Sequence, residues 1–151
     1  MYIQCLSSIP ALVREWYQNQ TRRIRDAVDR MTQKYVSPVL IHQEMEAVSS
    51  IKCAAQTNTG SFSLKKHSNT REITAIYTIE TSRVEICIRL PMNYPLTSVT
   101  IECTNHIGFT KEQWNQWILQ LKMNLMQNVK IQIEWRDIRY DFFFSFRMVP
   151  F

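Results

Sequence analysis

Three apolar runs in the middle of the sequence alternate with polar residues, and this alternation constrains the fold more than any other feature. The runs cover residues 73–79, 84–90 and 99–103. Period-two alternation with one polar face is typical of a half-buried antiparallel sheet. A shorter alternation at 61–65 precedes them, and the corner around Thr81 joins the first two long runs as a hairpin. The sequence therefore predicts a four-stranded antiparallel meander.

A C-terminal helix is predicted to cover this sheet. Thr110 is a good N-cap, and Gln113 three residues later completes a capping box. The helix then carries an apolar stripe at helical spacing, formed by Trp114, Trp117, Ile118, Leu121 and Leu125. Two indoles one turn apart bury a large area, which favours packing on the strands over a surface platform for bases. We predict that the sheet–helix core includes Tyr77, Ile86, Ile88, Trp114, Trp117 and Leu121.

Helices are also predicted before the strands, which makes the fold class α+β. Pro10 suits the first turn of a short helix. A longer helix over residues 21–36 has one apolar stripe, formed by Ile24, Val28, Met31 and Tyr35. We expect Ser37-Pro38 to end that helix, because the residue before a proline is pushed out of the α region. The same pair is a good start for the next helix.

Four arginines lie on the other faces of the helix at 21–36, and two interpretations of them remain open. They are Arg22, Arg23, Arg25 and Arg30, and two acids, Asp26 and Asp29, lie among them. They form either a solvated face with spaced ion pairs or a basic face that contacts phosphate. The net charge of +5 permits attraction to nucleic acid or to another acidic partner but identifies neither.

The sequence predicts no catalytic centre, cofactor or metal site. Its four cysteines are widely spaced and two of them fall in predicted strands, which is typical of reduced thiols in a cytosolic or nuclear protein. Only Cys103 and His106 come within zinc-ligand spacing, and Cys103 is expected to face the interior. No secretory leader or 18-residue apolar run is present, so neither export nor membrane association is expected. These features favour a binding or scaffolding domain.

The meander, the segment Leu90-Pro91-Met92-Asn93-Tyr94-Pro95 and the covering helix together resemble an RWD domain, the non-catalytic relative of ubiquitin-conjugating enzymes. Pro91 and Pro95 stop strand pairing, and Tyr94 is expected to pack in the turn between them. The resemblance implies a ubiquitin-conjugating-enzyme-like fold over residues 37–128. A conjugating enzyme itself is disfavoured, because its catalytic cysteine lies well downstream of the Tyr-Pro turn and no cysteine follows Cys103 here.

Four segments together narrow the resemblance to the region before the RING finger of the listerin family of E3 ubiquitin ligases. They cover residues 29–40, 71–80, 90–96 and 113–121. The resemblance implies a cytosolic protein of ribosome-associated quality control, with the large (60S) ribosomal subunit and the ribosome quality control complex as partners. RNA would then be contacted through the ribosome. Residues 1–36 would be a helical lead-in that ends an upstream helical-repeat region.

The sequence departs from that family after residue 128. Residues 129–151 form a divergent aromatic tail where the family has a zinc-binding RING, which recruits the conjugating enzyme. We therefore expect this chain to bind neither zinc nor a conjugating enzyme through a RING, and to transfer no ubiquitin alone. Two alternatives stay open. One is a catalytically dead conjugating-enzyme-like module that binds ubiquitin or another partner, and the other is direct RNA binding through the basic helix.

Overall fold

The computed structural model describes residues 1–50 and 60–127. This part of the chain has helices at both ends and a sheet between them. In chain order its elements are α1 (Tyr2–Ser8), α2 (Pro10–Gln18), α3 (Arg22–Met31), a π-helical turn (Thr32–Val36), α4 (Ser37–Ser50), β1 (Ser61–His67), β2 (Glu72–Ile79), β3 (Ser82–Arg89), β4 (Thr100–Ile107) and α5 (Lys111–Gln127).

The four strands form one antiparallel sheet in the order β1-β2-β3-β4. β2 and β3 are joined by a two-residue turn between Ile79 and Ser82. β4 contains a bulge at Thr104, because the pairing partner jumps from Cys103 to Asn105 between two consecutive residues of β3. The predicted α+β class is confirmed, with its four-stranded meander, its preceding helices and its C-terminal helix.

One apolar core joins the inner face of the sheet to the helices. From the sheet it contains Ile73, Ala75, Tyr77, Val84, Ile86, Ile88, Leu90 and Ile101. From α4 and α5 it contains Leu40, Met45, Val48, Trp114, Trp117 and Leu121. The two indole rings lie 5.0 Å apart between centroids. Full burial of an aliphatic side chain stabilises a fold by roughly 1.5–3 kcal/mol, so this cluster dominates the stability of the sheet and its helices.

The helix predicted to end at Ser37-Pro38 does not end there, and that prediction is wrong. Ser37 has helical dihedral angles (φ −57°, ψ −41°), and α3, the π turn and α4 run on without a gap. In an α-helix the ring of Pro38 would clash with the carbonyl of Lys34 one turn earlier. Lys34 lies in the π turn, whose i→i+5 bonds make it wider than an α-helical turn, and this width relieves that conflict.

The residues of this helical run that face the core also differ from the predicted stripe. Of the stripe predicted to be buried, only Val28 packs against the core, whereas Ile24, Met31 and Tyr35 are 43%, 40% and 62% exposed. The inward positions instead repeat every four residues and are Val28, Thr32, Val36, Leu40, Glu44 and Val48. Four residues overshoot one α-helical turn by about 40°. The wider π turn takes up part of this excess, so one face stays inward along the whole length.

The sequence predicted a helical lead-in over residues 1–36 but no separate helix before Pro10; α1 is such a helix, and it reaches the core. Leu6 is fully buried there, and the Tyr2 hydroxyl hydrogen-bonds the Thr32 hydroxyl at 2.8 Å. Pro10 occupies the first turn of α2, as the sequence predicted. The division into residues 1–36, 37–128 and 129–151 stays a prediction, and its last segment lies outside the described residues.

Candidate functional site

The Tyr-Pro turn leaves the end of β3 and is held by its own backbone. Tyr94 N donates to the Pro91 carbonyl at 3.1 Å, and the peptide bond between Tyr94 and Pro95 is cis. At the entrance of the turn, Leu90 N donates to the Arg71 carbonyl at 2.9 Å, and Arg71 Nε donates to the Leu90 carbonyl at 3.3 Å. The turn is therefore a defined structure anchored to the sheet.

Helix α4 binds this turn through two buried hydrogen bonds. Ser37 Oγ donates to the Tyr94 carbonyl at 2.7 Å, and the Tyr94 hydroxyl donates to Glu44 Oε1 at 2.8 Å. Ser37 and Glu44 are only 1% and 2% exposed. Burial, together with the charge of Glu44, raises the pKa of Tyr94 far above its ordinary value. The tyrosine therefore remains a hydrogen-bond donor to a buried acid.

Helices α2 and α3 contact the same turn from the N-terminal side. Arg14 Nη1 donates to the Pro95 carbonyl at 3.4 Å, and burial lowers the pKa of Arg14. Asn93 Nδ2 donates to Asp29 Oδ1 at 2.7 Å, and Gln33 Nε2 donates to Asp29 Oδ2 at 2.8 Å. We call the turn and these contacts the Tyr-Pro joint. It ties three helices to the end of β3.

The four arginines that the sequence singled out lie on α3, and all are exposed. At 100° per residue they fall within an arc of about 160° around the helix, and we call this arc the basic face of α3. Asp26 lies in the same arc and pairs with Arg22 at 4.0 Å, between side chains that are 62% and 91% exposed. Such a pair contributes little, about 0–1 kcal/mol. The carboxylate of Asp29, in contrast, is held inward by Asn93 and Gln33.

The described residues bring together no group of histidine, cysteine and acidic side chains that could hold a metal ion. Cys103 Sγ lies 3.7 Å from His106 Nδ1, but burial raises the pKa of this thiol, which is the opposite of activation. Burial likewise raises the pKa of Cys87. His106 stacks on Trp114 with ring centroids 5.5 Å apart. These groups have structural contacts and no arrangement for nucleophilic catalysis.

The Tyr-Pro joint contains residues that the sequence reasoning missed. Pro91, Tyr94 and Pro95 were predicted to shape the turn, whereas the partners Ser37 and Glu44 were not identified. The sequence pattern places Ser37 at the end of one helix and the start of the next, with no contact to the turn. A signal for Glu44 was present, since it lies four residues after Leu40 and four before Val48, on the buried face of α4.

Among the described helices, none combines the length and the apolar content that a membrane span requires.

Residues 62–133 match the family model described as ubiquitin conjugating domain-like, and residues 1–49 match the LTN1 family HEAT repeat region. The chain is 42% identical to E3 ubiquitin-protein ligase listerin of Mus musculus over 125 residues and 41% identical to that of Xenopus tropicalis over 125 residues. It is 29% identical to the protein of the same name from Saccharomyces cerevisiae over 118 residues. These alignments cover 83%, 83% and 78% of the chain, which spans about 7% of the length of each relative.

Proposed function

Because the chain belongs to the listerin family, we propose that it acts as the RWD-type interaction domain of a listerin-type E3 ubiquitin ligase and docks that ligase on the large (60S) ribosomal subunit. The observation that carries the proposal is the 42% identity to mouse listerin over 83% of the chain, which includes both the helical segment and the sheet. The ubiquitin-conjugating-like fold agrees with a domain of this kind.

In this proposal the domain contributes binding, and the chemistry is supplied elsewhere in the ligase. The half-buried thiols of Cys87 and Cys103, whose pKa values are raised by burial, are unsuited to carrying ubiquitin as a thioester. Ubiquitin transfer would depend on a zinc-binding RING, which recruits the charged conjugating enzyme. The described residues offer no comparable metal site. The substrates would be nascent chains stalled on the large subunit, in the cytosol, together with the ribosome quality control complex.

Docking would help transfer by proximity. A ligase tethered to the subunit meets a nascent chain at an effective concentration set by the tether, which reaches the millimolar range for short linkers. A rigid domain serves this purpose better than a loose one, because geometry that forbids simultaneous contact removes the whole gain. The Tyr-Pro joint supports such rigidity, since it ties α2, α3 and α4 to the sheet.

Sedimentation with purified ribosomal subunits tests the proposal. The chain should co-migrate with large subunits at low salt and should be absent from the pellet without them. Small subunits serve as the control, because they also present RNA phosphates but on a different surface. A chain that remains in the supernatant with large subunits at low salt would contradict the docking role.

The match of residues 62–133 to ubiquitin-conjugating-like domains supports a second candidate, a non-catalytic module that binds ubiquitin or another protein partner. Titration of isotope-labelled ubiquitin with the chain distinguishes the two. Chemical-shift changes on ubiquitin without any binding to large subunits would favour this second candidate over the first.

A further inference from the structure

We propose that the basic face of α3 binds the phosphate backbone of ribosomal RNA and is the surface through which this domain docks. This inference rests on the proposed function, because it names the contact class of the same docking step. The face consists of Arg22, Arg23, Arg25 and Arg30.

The charges on this face are available to a partner. Among the described residues, the ion pairs include only one for the four arginines, the exposed contact of Arg22 with Asp26 at 4.0 Å. Arg30 Nε donates to the backbone carbonyl of Asp26 at 3.2 Å, which orients the guanidinium without neutralising its charge. Arg23 and Arg30 are seven residues apart, so they lie about 10 Å from each other along the helix axis.

The Tyr-Pro joint removes one of the two acids that would otherwise weaken this face. Asp29 accepts hydrogen bonds from Asn93 at 2.7 Å and Gln33 at 2.8 Å, and it is half-buried while the arginines are exposed. Asn93 belongs to the Tyr-Pro turn, whereas Gln33 belongs to the π turn. The exposed charges of α3 are therefore four arginines and the single acid Asp26. The Tyr-Pro turn contributes to this excess of positive charge, because its Asn93 holds Asp29.

The residue type suits phosphate recognition. A guanidinium presents a planar fork of donors that matches phosphate oxygens and is weakly hydrated, so it suits backbone recognition. Lys34, in the π turn, extends the positive charge one turn beyond Arg30. Exposed cations on one helix face can contact successive phosphates and read no bases, as expected for a contact that depends on position rather than on sequence.

The experiment compares the affinity of three chains for purified large subunits and for protein-free large-subunit RNA at several salt concentrations. The test variant is R23E/R30E, which reverses two exposed charges. The control variant is K111E/K122E, which makes the same change in net charge at two exposed positions of α5. Circular dichroism verifies that all three chains are folded.

At low salt, we expect R23E/R30E to bind large subunits at least about tenfold more weakly than wild type does. The same loss should appear with free large-subunit RNA. The control variant should bind both nearly as well as wild type. The slope of log affinity against log salt should become shallower by about 1.5, which corresponds to two lost phosphate contacts. The milder R23K/R30K variant keeps the charge but loses the fork, so its affinity should lie between those of the wild type and R23E/R30E.

The possible failures are distinguishable. A wild-type chain that does not bind large subunits refutes the docking role and this inference together. Subunit binding that is equal in wild type and R23E/R30E leaves docking intact but overturns the role of this face. A loss of subunit binding in R23E/R30E, with no binding of wild type to free RNA, overturns RNA as the partner and points to an acidic ribosomal protein.

Discussion

At the scale of single residues, the pair Tyr94–Glu44 decides how the turn is held. A buried carboxyl group is costly unless it is hydrogen-bonded, and Glu44 accepts from the Tyr94 hydroxyl at 2.8 Å. The backbone of the same tyrosine accepts from Ser37 at 2.7 Å, so one residue of the turn is bound by α4 at both ends. This double attachment explains why a tyrosine, rather than a phenylalanine, occupies the turn.

Replacing Tyr94 with phenylalanine should therefore destabilise the domain although it removes only one oxygen. The buried Glu44 would lose a hydrogen bond, at a cost of roughly 1–3 kcal/mol in the free energy of unfolding. Urea denaturation of wild type and Y94F measures this difference. Y35F is the matched control, because Tyr35 is exposed and its change should stay within about 0.5 kcal/mol. Equal losses in Y94F and Y35F would contradict the importance of the buried pair.

The raised pKa of Tyr94 predicts a specific sensitivity to alkali. The unfolded chain loses this phenolic proton near the ordinary pKa of about 10, while the folded chain retains it because of burial and the nearby Glu44. Stability is therefore fully present below pH 10 and falls above it, by up to about 1.4 kcal/mol per pH unit for this group. Y94F lacks the group, so the stability difference between wild type and Y94F should narrow above pH 10. If the stabilities of wild type and Y94F fell in parallel above pH 10, the Tyr94 proton would not be linked to folding.

At the scale of secondary-structure elements, the strands and α5 could be predicted from the sequence, whereas α1 as a separate helix and the π turn could not. The strands follow from period-two alternation, and α5 follows from its capping box, which is present: Gln113 N donates to Thr110 Oγ1 at 3.3 Å, and Thr110 N donates to Gln113 Oε1 at 3.2 Å. The π turn was missed because the periodicity argument assumes 3.6 residues per turn throughout. That single turn explains the wrong helix end at Ser37 and the exposure of Tyr35, whereas Ile24 and Met31 lie in α3 before it.

The capping box gives a prediction for α5. T110A should lower the free energy of unfolding by about 1 kcal/mol, because the Gln113 amide loses its side-chain acceptor. T110S retains a hydroxyl in the same place and should restore most of the stability. Thermal denaturation of the three chains gives the comparison. If T110S were as unstable as T110A, the loss of stability would come from a contact of the threonine methyl group and not from the hydroxyl cap.

At the scale of the whole molecule, one continuous helical run is shared by the two parts that family comparison distinguishes. The match to the helical repeat region covers residues 1–49, and the conjugating-like match begins at residue 62. Yet α3 packs with the N-terminal helices, while α4 contributes Leu40, Met45 and Val48 to the core beneath the sheet. The basic arginines were visible in the sequence, but this arrangement was not, because the contacts of Asp29 and Glu44 with the Tyr-Pro turn join residues more than 49 positions apart.

This sharing predicts that the helical segment and the sheet unfold together. Leu6 in α1 is fully buried in the common core, so L6A should lower the free energy of the single global transition by about 2–5 kcal/mol. Far-UV circular dichroism follows all helices, whereas tryptophan fluorescence includes Trp114 and Trp117 at the sheet. In urea, both signals should shift to the same lower midpoint, as a two-state unit requires. L12A, at an exposed position of α2, should leave that midpoint almost unchanged. An early dichroism loss in L6A, with the fluorescence transition unmoved, would mean that the N-terminal helices unfold independently, and the Tyr-Pro joint would then not be a rigid connection.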